Sequence, residues 1–482
     1  MLSRRSGSVL ALVLAASLAP ARAGANGNVS HQWISKTAAE LVPADGSLRG
    51  LVGDPALRQA LFTGTMFPDW GYTPGATQDE RDAGESSHWE PVQEAYRSWI
   101  VANYAPPWSD EARLHLAFYL GMTSHGIADQ TYDAMFFERS EFYENKDHSE
   151  FDADTDVLWA GATGPGEVPM AWIPSETLLE LFSTIAGKTI DASSMKQKVG
   201  LIGFAIQAVS IAAADPEELA DAAVDFPWAA MSDEDPAVPG NPPHEAEITR
   251  RYWQSNWALL HGEPLPRPVL WTFPADGGAE HAVQSASIES WITVVFARAL
   301  DEQALGAAQF HVVDSMGVEA PIEIDLFYGN GSHVVHVKPA SDLIEDEVYV
   351  VTVDPGVKTI HGEELAGWSF TFSTGLVGPP PVHDDSFWDV PDAYGEVGEG
   401  SSGGEASSSG GSGEGSSGGE AVTDSGSENA STGGTSGDGG ATSGAADGDA
   451  GGCACRARSG REDGGLALLG LGLLAGARRR RR

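Results

Sequence analysis

The chain has 482 residues, 69 of them acidic against 28 basic, for a formal net charge of −41. That length accommodates more than one domain, and the acidic excess argues against a nucleic-acid binder, which needs a basic face. The only cysteines, Cys453 and Cys455, lie near the C-terminus, so no disulfide staples the preceding chain and no cysteine nucleophile serves it.

Residues 1–23 combine Arg4 and Arg5, an apolar run from Val9 to Ala16 and the triplet Ala21-Arg22-Ala23. This is the pattern of a secretory signal cleaved after Ala23. From 24 to 264 the reading is all helical. Residues 27–41 form a first helix with Ser30 as its cap and His31 in its first turn. The apolar stretch 60–70 runs into Pro68-Asp69, where an aspartate after proline ordinarily marks a turn or cap. Residues 77–87 read as an acidic, polar loop that delivers His88, and 90–104 as a helix with Tyr96, Trp99, Ile100 and Tyr104 in the core. His115 is assigned to structure.

The densest stretch is 118–156, FYLGMTSHGIADQTYDAMFFERSEFYENKDHSEFDADTD. Ser109 caps a helix entered by Asp110 and Glu111 and running uninterrupted to about Glu138. On it His125, Asp129 and Asp133 sit four apart and face one side. His148 and Asp152 repeat the spacing. Imidazole and carboxylate on successive turns suit a borderline-soft divalent cation such as zinc, and carboxylates among aromatic neighbours are costly unless paired or metal-bound.

Residues 157–262 continue as helices, with 201–213 expected as a central core helix too short and too interrupted to span a membrane, and 249–260 closing the domain with two packed tryptophans. After the proline-rich break at 264–268 the hydrophobic period changes from 3.6 to 2, and residues 265–376 read as a β-sandwich of short alternating strands. His311, His333 and His336 are assigned to that framework. Residues 377–450, rich in Gly, Ser, Glu and Asp and free of Lys and Arg, read as a disordered linker. Residues 451–482 combine the cysteine pair, a short apolar run and five terminal arginines in a three-part signal.

The stretch 118–156, together with SHQWISKTAAEL at 30–41, FPDW at 67–70 and SSHWEP at 86–91, resembles the zinc-dependent phospholipase C/D superfamily, most nearly the catalytic domain of its glycosylphosphatidylinositol-specific phospholipase D branch. The ending F-x-F-x-T-G at 370–375 resembles bacterial Ig-like domains, and the C-terminal signal resembles myxobacterial surface-protein sorting sequences. The first resemblance implies an all-α catalytic domain, followed here by an all-β Ig-like sandwich and a disordered tail. It implies about two or three zinc ions held by His31, Asp69, His88, His125, Asp129, His148 and Asp152. Asp133 stands where relatives carry a histidine, and the mature α-amino group, of Gly24 or of Asn26 if cleavage falls later, joins as a ligand. Asp69 is either a ligand or the base for an attacking water.

The implied function is a secreted, surface-tethered phosphodiesterase that hydrolyses phospholipid or glycolipid headgroups, with the membrane surface as partner through the C-terminal signal. A nuclease or phosphomonoesterase on the same fold is the alternative enzyme, and a surface adhesin or scaffold with a structural or decayed metal site is the alternative from another class.

Overall fold

The computed structural model describes residues 27–144 and 151–394. Helices come first: α1 (Asn28–Leu41), α2 (Ser47–Val52), α3 (Arg58–Met66), a 3₁₀ segment (Phe67–Tyr72), α4 (Gln78–Ser87) and α5 (Glu90–Asn103). Then come α6 (Asp110–Thr131), a π-helical turn (Tyr132–Phe137), α7 (Glu138–Glu144), α8 (Phe151–Thr163), α9 (Ser175–Thr184) and α10 (Ala192–Ala213). The helical region ends with α11 (Pro216–Asp225), α12 (Pro227–Ser232) and α13 (Pro242–Leu260).

The organising helix is α6. Ser109 caps it, its Oγ accepting from the Ala112 amide at 3.2 Å, and every residue from His115 to Thr131 is buried. A helix covered on all sides is a domain's central strut. The 201–213 segment was expected in that role, but α10 is peripheral: Met195, Val199, Ile202 and Ile206 are buried while Phe204 and Ile211 are each 59% exposed. Its apolar residues exceed what one buried stripe needs. Among the described residues no single helix is long and apolar enough to cross a membrane.

Two further expectations change at the site's supports. Residues 77–87 form the helix α4 and its cap Thr77, with a capping box in which the Glu80 amide donates to Thr77 Oγ1 and the Thr77 amide to Glu80 Oε2; the T-x-x-E signature outweighs the polarity of the stretch. Ser30 is not the cap of α1. Gly27 holds that position without a side-chain cap, and the orphan amides of Val29 and Ser30 donate to the Asp156 carboxylate at 3.2 and 2.8 Å, joined by Ser30 Oγ at 2.8 Å. Burial carries the Asp156 carboxyl up to about 6 against those hydrogen bonds.

Beyond α13 the chain forms a two-sheet sandwich. Its four-stranded sheet has the order β1 (Val269–Phe273), β2 (Ile292–Phe296), β5 (Val334–Pro339), β4 (Ile322–Leu326); the facing sheet is β3 (Phe310–Asp314), β6 (Val348–Val353), β7 (Trp368–Ser373). All strand pairings within the two sheets are antiparallel. The inner faces contribute Val294, Val312, Val337, Val351, Phe370 and Phe372 to the sandwich core.

The sandwich is packed onto the helical domain. Ile127 and Met135 near the end of α6, Ile248 and Tyr252 of α13, and Leu270, Val295 and Val334 of the sheet share a separate apolar cluster with Trp388. Trp388 corrects the expected start of the linker: the chain stays ordered through residue 394, with a 3₁₀ turn at Asp385–Asp389. The Trp388 side chain is 1% exposed, and its carbonyl accepts from Arg250 Nη1 at 3.0 Å and Gln254 Nε2 at 2.8 Å. Two residues before the end of this segment, Asp392 accepts from the Ser47 and Leu48 amides at 3.1 and 3.0 Å and so caps α2. Trp388→Ala is expected to cost about 3–5 kcal/mol, measured as a fall in the urea midpoint; a change below about 1 kcal/mol would show that the segment merely lies on the surface.

Candidate metal centre

Five side chains from four segments meet beside the middle of α6. His31 comes from the first turn of α1, Asp69 from the 3₁₀ segment, His88 from the end of α4, and His125 and Asp129 from consecutive turns of α6. Close backbone packing brings them together. A Cβ on Gly121 would lie 2.1 Å from the Leu61 carbonyl oxygen, and one on Gly126 2.2 Å from that of His88. Without side chains there, α3 and the end of α4 can press directly on α6.

His125 Nδ1 donates to the Thr65 carbonyl at 2.7 Å, and His88 Nδ1 to the Gly84 carbonyl at 3.0 Å. With those protons placed, each Nε2 turns a lone pair inward, and the two Nε2 atoms face one another at 3.1 Å. Two lone pairs so close repel unless a proton or a cation lies between them. Asp129 spans the group: its Oδ1 is 2.9 Å from His31 Nε2, and its Oδ2 is 3.2 Å from His125 Nε2 and 3.5 Å from His88 Nε2. The 2.9 Å approach lacks hydrogen-bond alignment, so His31 Nε2 and Asp129 Oδ1 are buried without a hydrogen-bond partner among the described residues. Asp69 Oδ1 lies 3.6 Å from both His88 Nε2 and His125 Nε2, and the His31 and His125 rings stack at 3.8 Å.

The electrostatics follow from this crowding. Burial opposes ionisation of Asp69, but His125 and His88 outweigh it and hold its carboxyl below the usual range. Asp129 is likewise held well below, with His125 and His31 overcoming burial. Burial and the neighbouring His31 push His125 down; burial also acts on His88, but Asp69 and Asp129 carry it up to about 9.

The donors form two overlapping sets, His31 with His125 and Asp129, and Asp69 with His88 and His125, each with its donor atoms within 4.8 Å of one another. Converging imidazole and carboxylate donors, with the outer nitrogens of His88 and His125 fixed on main-chain carbonyls, fit a zinc-type cation.

Of the other expected ligands, Asp133 is buried but stands outside both sets. It lies in the π-helical turn, and its Oδ2 accepts a hydrogen bond from Tyr328 of the sandwich instead. The expected uninterrupted helix to Glu138 breaks there because a π turn accommodates one extra residue. Asp152 opens α8, near enough that its charge, after burial, raises the Asp133 carboxyl. His148 and Gly24, with its alternative Asn26, lie outside the described residues.

Sequence reasoning passed over the rim. The Tyr72 hydroxyl donates to Glu85, Trp89 Nε1 donates to Glu85 Oε1 at 2.8 Å, and the Tyr72 ring lies 5.6 Å from that of His88. Tyr72 and Glu85 stand three residues from Asp69 and His88 respectively, the helical-neighbour spacing that could have found them.

Residues 266–374 match the Bacterial Ig-like domain family. The chain is 28% identical over 145 residues to phosphatidylinositol-glycan-specific phospholipase D of Rattus norvegicus, covering 28% of this chain and 17% of that protein. The Mus musculus protein of that name is 29% identical over 141 residues with the same coverage, and that of Dictyostelium discoideum 28% over 109 residues, covering 23% and 11%. The chain thus spans less than a fifth of the length of these relatives. Structures of the S-layer protein SbsC overlap 68% of this chain and 46% of theirs at 11% and 10% identity and a TM-score of 0.19, too low to bear on the fold. The chain therefore pairs a bacterial Ig-like domain with a stretch distantly similar to phosphatidylinositol-glycan-specific phospholipase D.

Proposed function

We propose that the chain is a zinc-dependent phosphodiesterase that hydrolyses phospholipid or glycolipid headgroups. The observation that carries this reading is the convergence of three imidazole nitrogens and two carboxylates, two of the imidazoles locked by main-chain carbonyls so that Nε2 faces inward. His31, His88, His125, Asp69 and Asp129 would hold about two zinc ions, and Asp133, His148, Asp152 and the mature α-amino group would serve a further one. Bound zinc would polarise a phosphoryl oxygen and lower the pKa of a bound water toward ~7.

The chain's own groups do the rest. Asp129 touches all three imidazoles and fixes their mutual positions. Asp69, the most exposed of the five side chains but held ionised by two histidines, can accept a proton from a water beside it. The distant similarity to a phospholipase D supports a lipid-linked phosphodiester as substrate. The N-terminal signal and the C-terminal Cys, apolar and Arg pattern support a secreted protein tethered at the outer surface.

The reading is tested on the purified protein by elemental analysis together with hydrolysis of a generic phosphodiester before and after chelation. About two or three zinc ions per chain and turnover that chelation abolishes and zinc restores are expected. Folded protein with no zinc and no turnover would overturn it.

A further inference from the structure

We propose that the Ig-like sandwich supplies a positioning residue, Tyr328, to the metal centre, so that the working unit comprises both domains. This rests on the metal-centre reading above and adds a residue from outside the helical domain.

The β4–β5 hairpin reaches back to the end of α6 and grips it at two points. The His333 amide donates to Gln130 Oε1 at 2.9 Å, and the Tyr328 hydroxyl donates to Asp133 Oδ2. Gln130 directly follows Asp129, and Asp133 lies one turn further along. On its other side the Tyr328 ring meets the Trp89 ring edge-on, at 5.6 Å and 85°, and Trp89 directly follows His88. One side chain of the sandwich therefore braces two segments that carry the central donors.

The backbone of Tyr328 points the same way. The turn closes with the Gly329 amide on the Leu326 carbonyl at 2.8 Å, and Tyr328 within it has φ of +63°. Glycine or asparagine ordinarily takes that left-handed conformation, and a bulky aromatic adopts it only where its surroundings hold it. Here the conformation delivers the phenol to a carboxylate that is 1% exposed.

The geometry leaves Asp133 with one oxygen engaged by Tyr328 and the other, Oδ1, buried with no hydrogen-bond partner among the described residues. A carboxylate oriented through one oxygen with the other kept free is how an outer-shell donor presents a metal ligand. Tyr328 thus restrains Asp133, the residue that replaces a histidine of the resembled family, and does so from a domain that resemblance does not include.

The test uses the full-length protein with Tyr328→Phe, which keeps the ring against Trp89 and removes only the hydroxyl. Zinc retention is measured by chelator competition, kcat and KM on a soluble phosphodiester, and folding by thermal unfolding. Tyr328→Phe is expected to unfold like wild type, to release its most weakly held zinc with about tenfold lower affinity, and to lose about tenfold in kcat with KM within about twofold. Asp133→Asn should reproduce both losses, and the double variant should add little to either single one. Zinc-loaded, active wild type with Tyr328→Phe unchanged in affinity and kcat, or losses that add fully in the double variant, would overturn the positioning role alone. Wild type without zinc would overturn the metal-centre reading and this role with it.

Discussion

Asp129→Asn is expected to remove at least one zinc ion per chain and to lower phosphodiester turnover by more than the roughly 100-fold seen when only an outer-shell partner of a ligand is lost. Asp129 is the only side chain of the cluster within 3.5 Å of all three imidazoles. Asparagine keeps its volume, so packing around α6 is preserved, but it brings one neutral acceptor where two charged oxygens stood. Three buried histidines then face a site in which Asp69 is the one carboxylate left of the five donors to offset a divalent ion. The same variant should lose zinc-dependent stabilisation, which for wild type amounts to about 4 kcal/mol at zinc a thousandfold above its dissociation constant. Elemental analysis, turnover and thermal unfolding with and without zinc read the three effects. An Asp129→Asn protein that keeps wild-type zinc and turnover would remove the basis for the metal centre.

Glu90→Gln should produce a large loss of stability. Glu90 is 2% exposed, and its carboxylate joins the two domains: Arg298 Nη1 at 3.0 Å, His333 Nε2 at 3.2 Å, His361 Nε2 at 3.1 Å and the Ala299 amide at 2.5 Å. All four partners belong to the sandwich. Removing the charge strands buried cationic and polar groups, at a cost of about 3–5 kcal/mol.

The effect has a defined pH dependence. Burial raises the Glu90 carboxyl, but His333, His361 and Arg298 outweigh burial and hold it far below the 4.5 at which it titrates when unfolded. A folded value below the unfolded one means that the contribution is complete above about pH 4.5 and fades as pH falls beneath it. The stability gap between wild type and Glu90→Gln, from urea unfolding, should therefore be widest near neutral pH and narrow on acidification below about pH 4.5. A gap constant through that range would place the effect in packing rather than charge.

The elements legible in the sequence are those with local causes. Ser109 followed by two acids marks the start of α6, and the four-residue spacing of His125 and Asp129 survives as adjacent donors because both lie in the regular part of that helix. The change of hydrophobic period after 264–268 marks the sandwich, because alternation reports directly which strand face is buried. The misread helix at 77–87 was a matter of weight, since its T-x-x-E box was present and its polarity prevailed.

What the sequence alone could not show is set by distance along the chain. The cap of α1 comes from Asp156, 126 residues from Ser30, and the partner of Asp133 is Tyr328, 195 residues away. For α1 the local pattern offered a nearer answer, Ser30 as cap, which tertiary contact displaced; for Asp133 the spacing beside Asp129 gave no sign of the phenol that tertiary contact brings to one of its oxygens. Trp388 is similar: composition averaged over a long Gly- and Ser-rich tail hides one aromatic residue that an apolar cleft between domains buries.

The sequence by itself determined which residues can donate to a metal, the helical and strand periods, and the point where one gives way to the other, because these depend on neighbours a few positions apart. Only the tertiary structure decided which donors meet, what caps and braces them, and that the sandwich is welded to the helical domain through Glu90, Asp133 and Trp388, because buried charges and apolar faces find their partners in space, without regard to their separation along the chain.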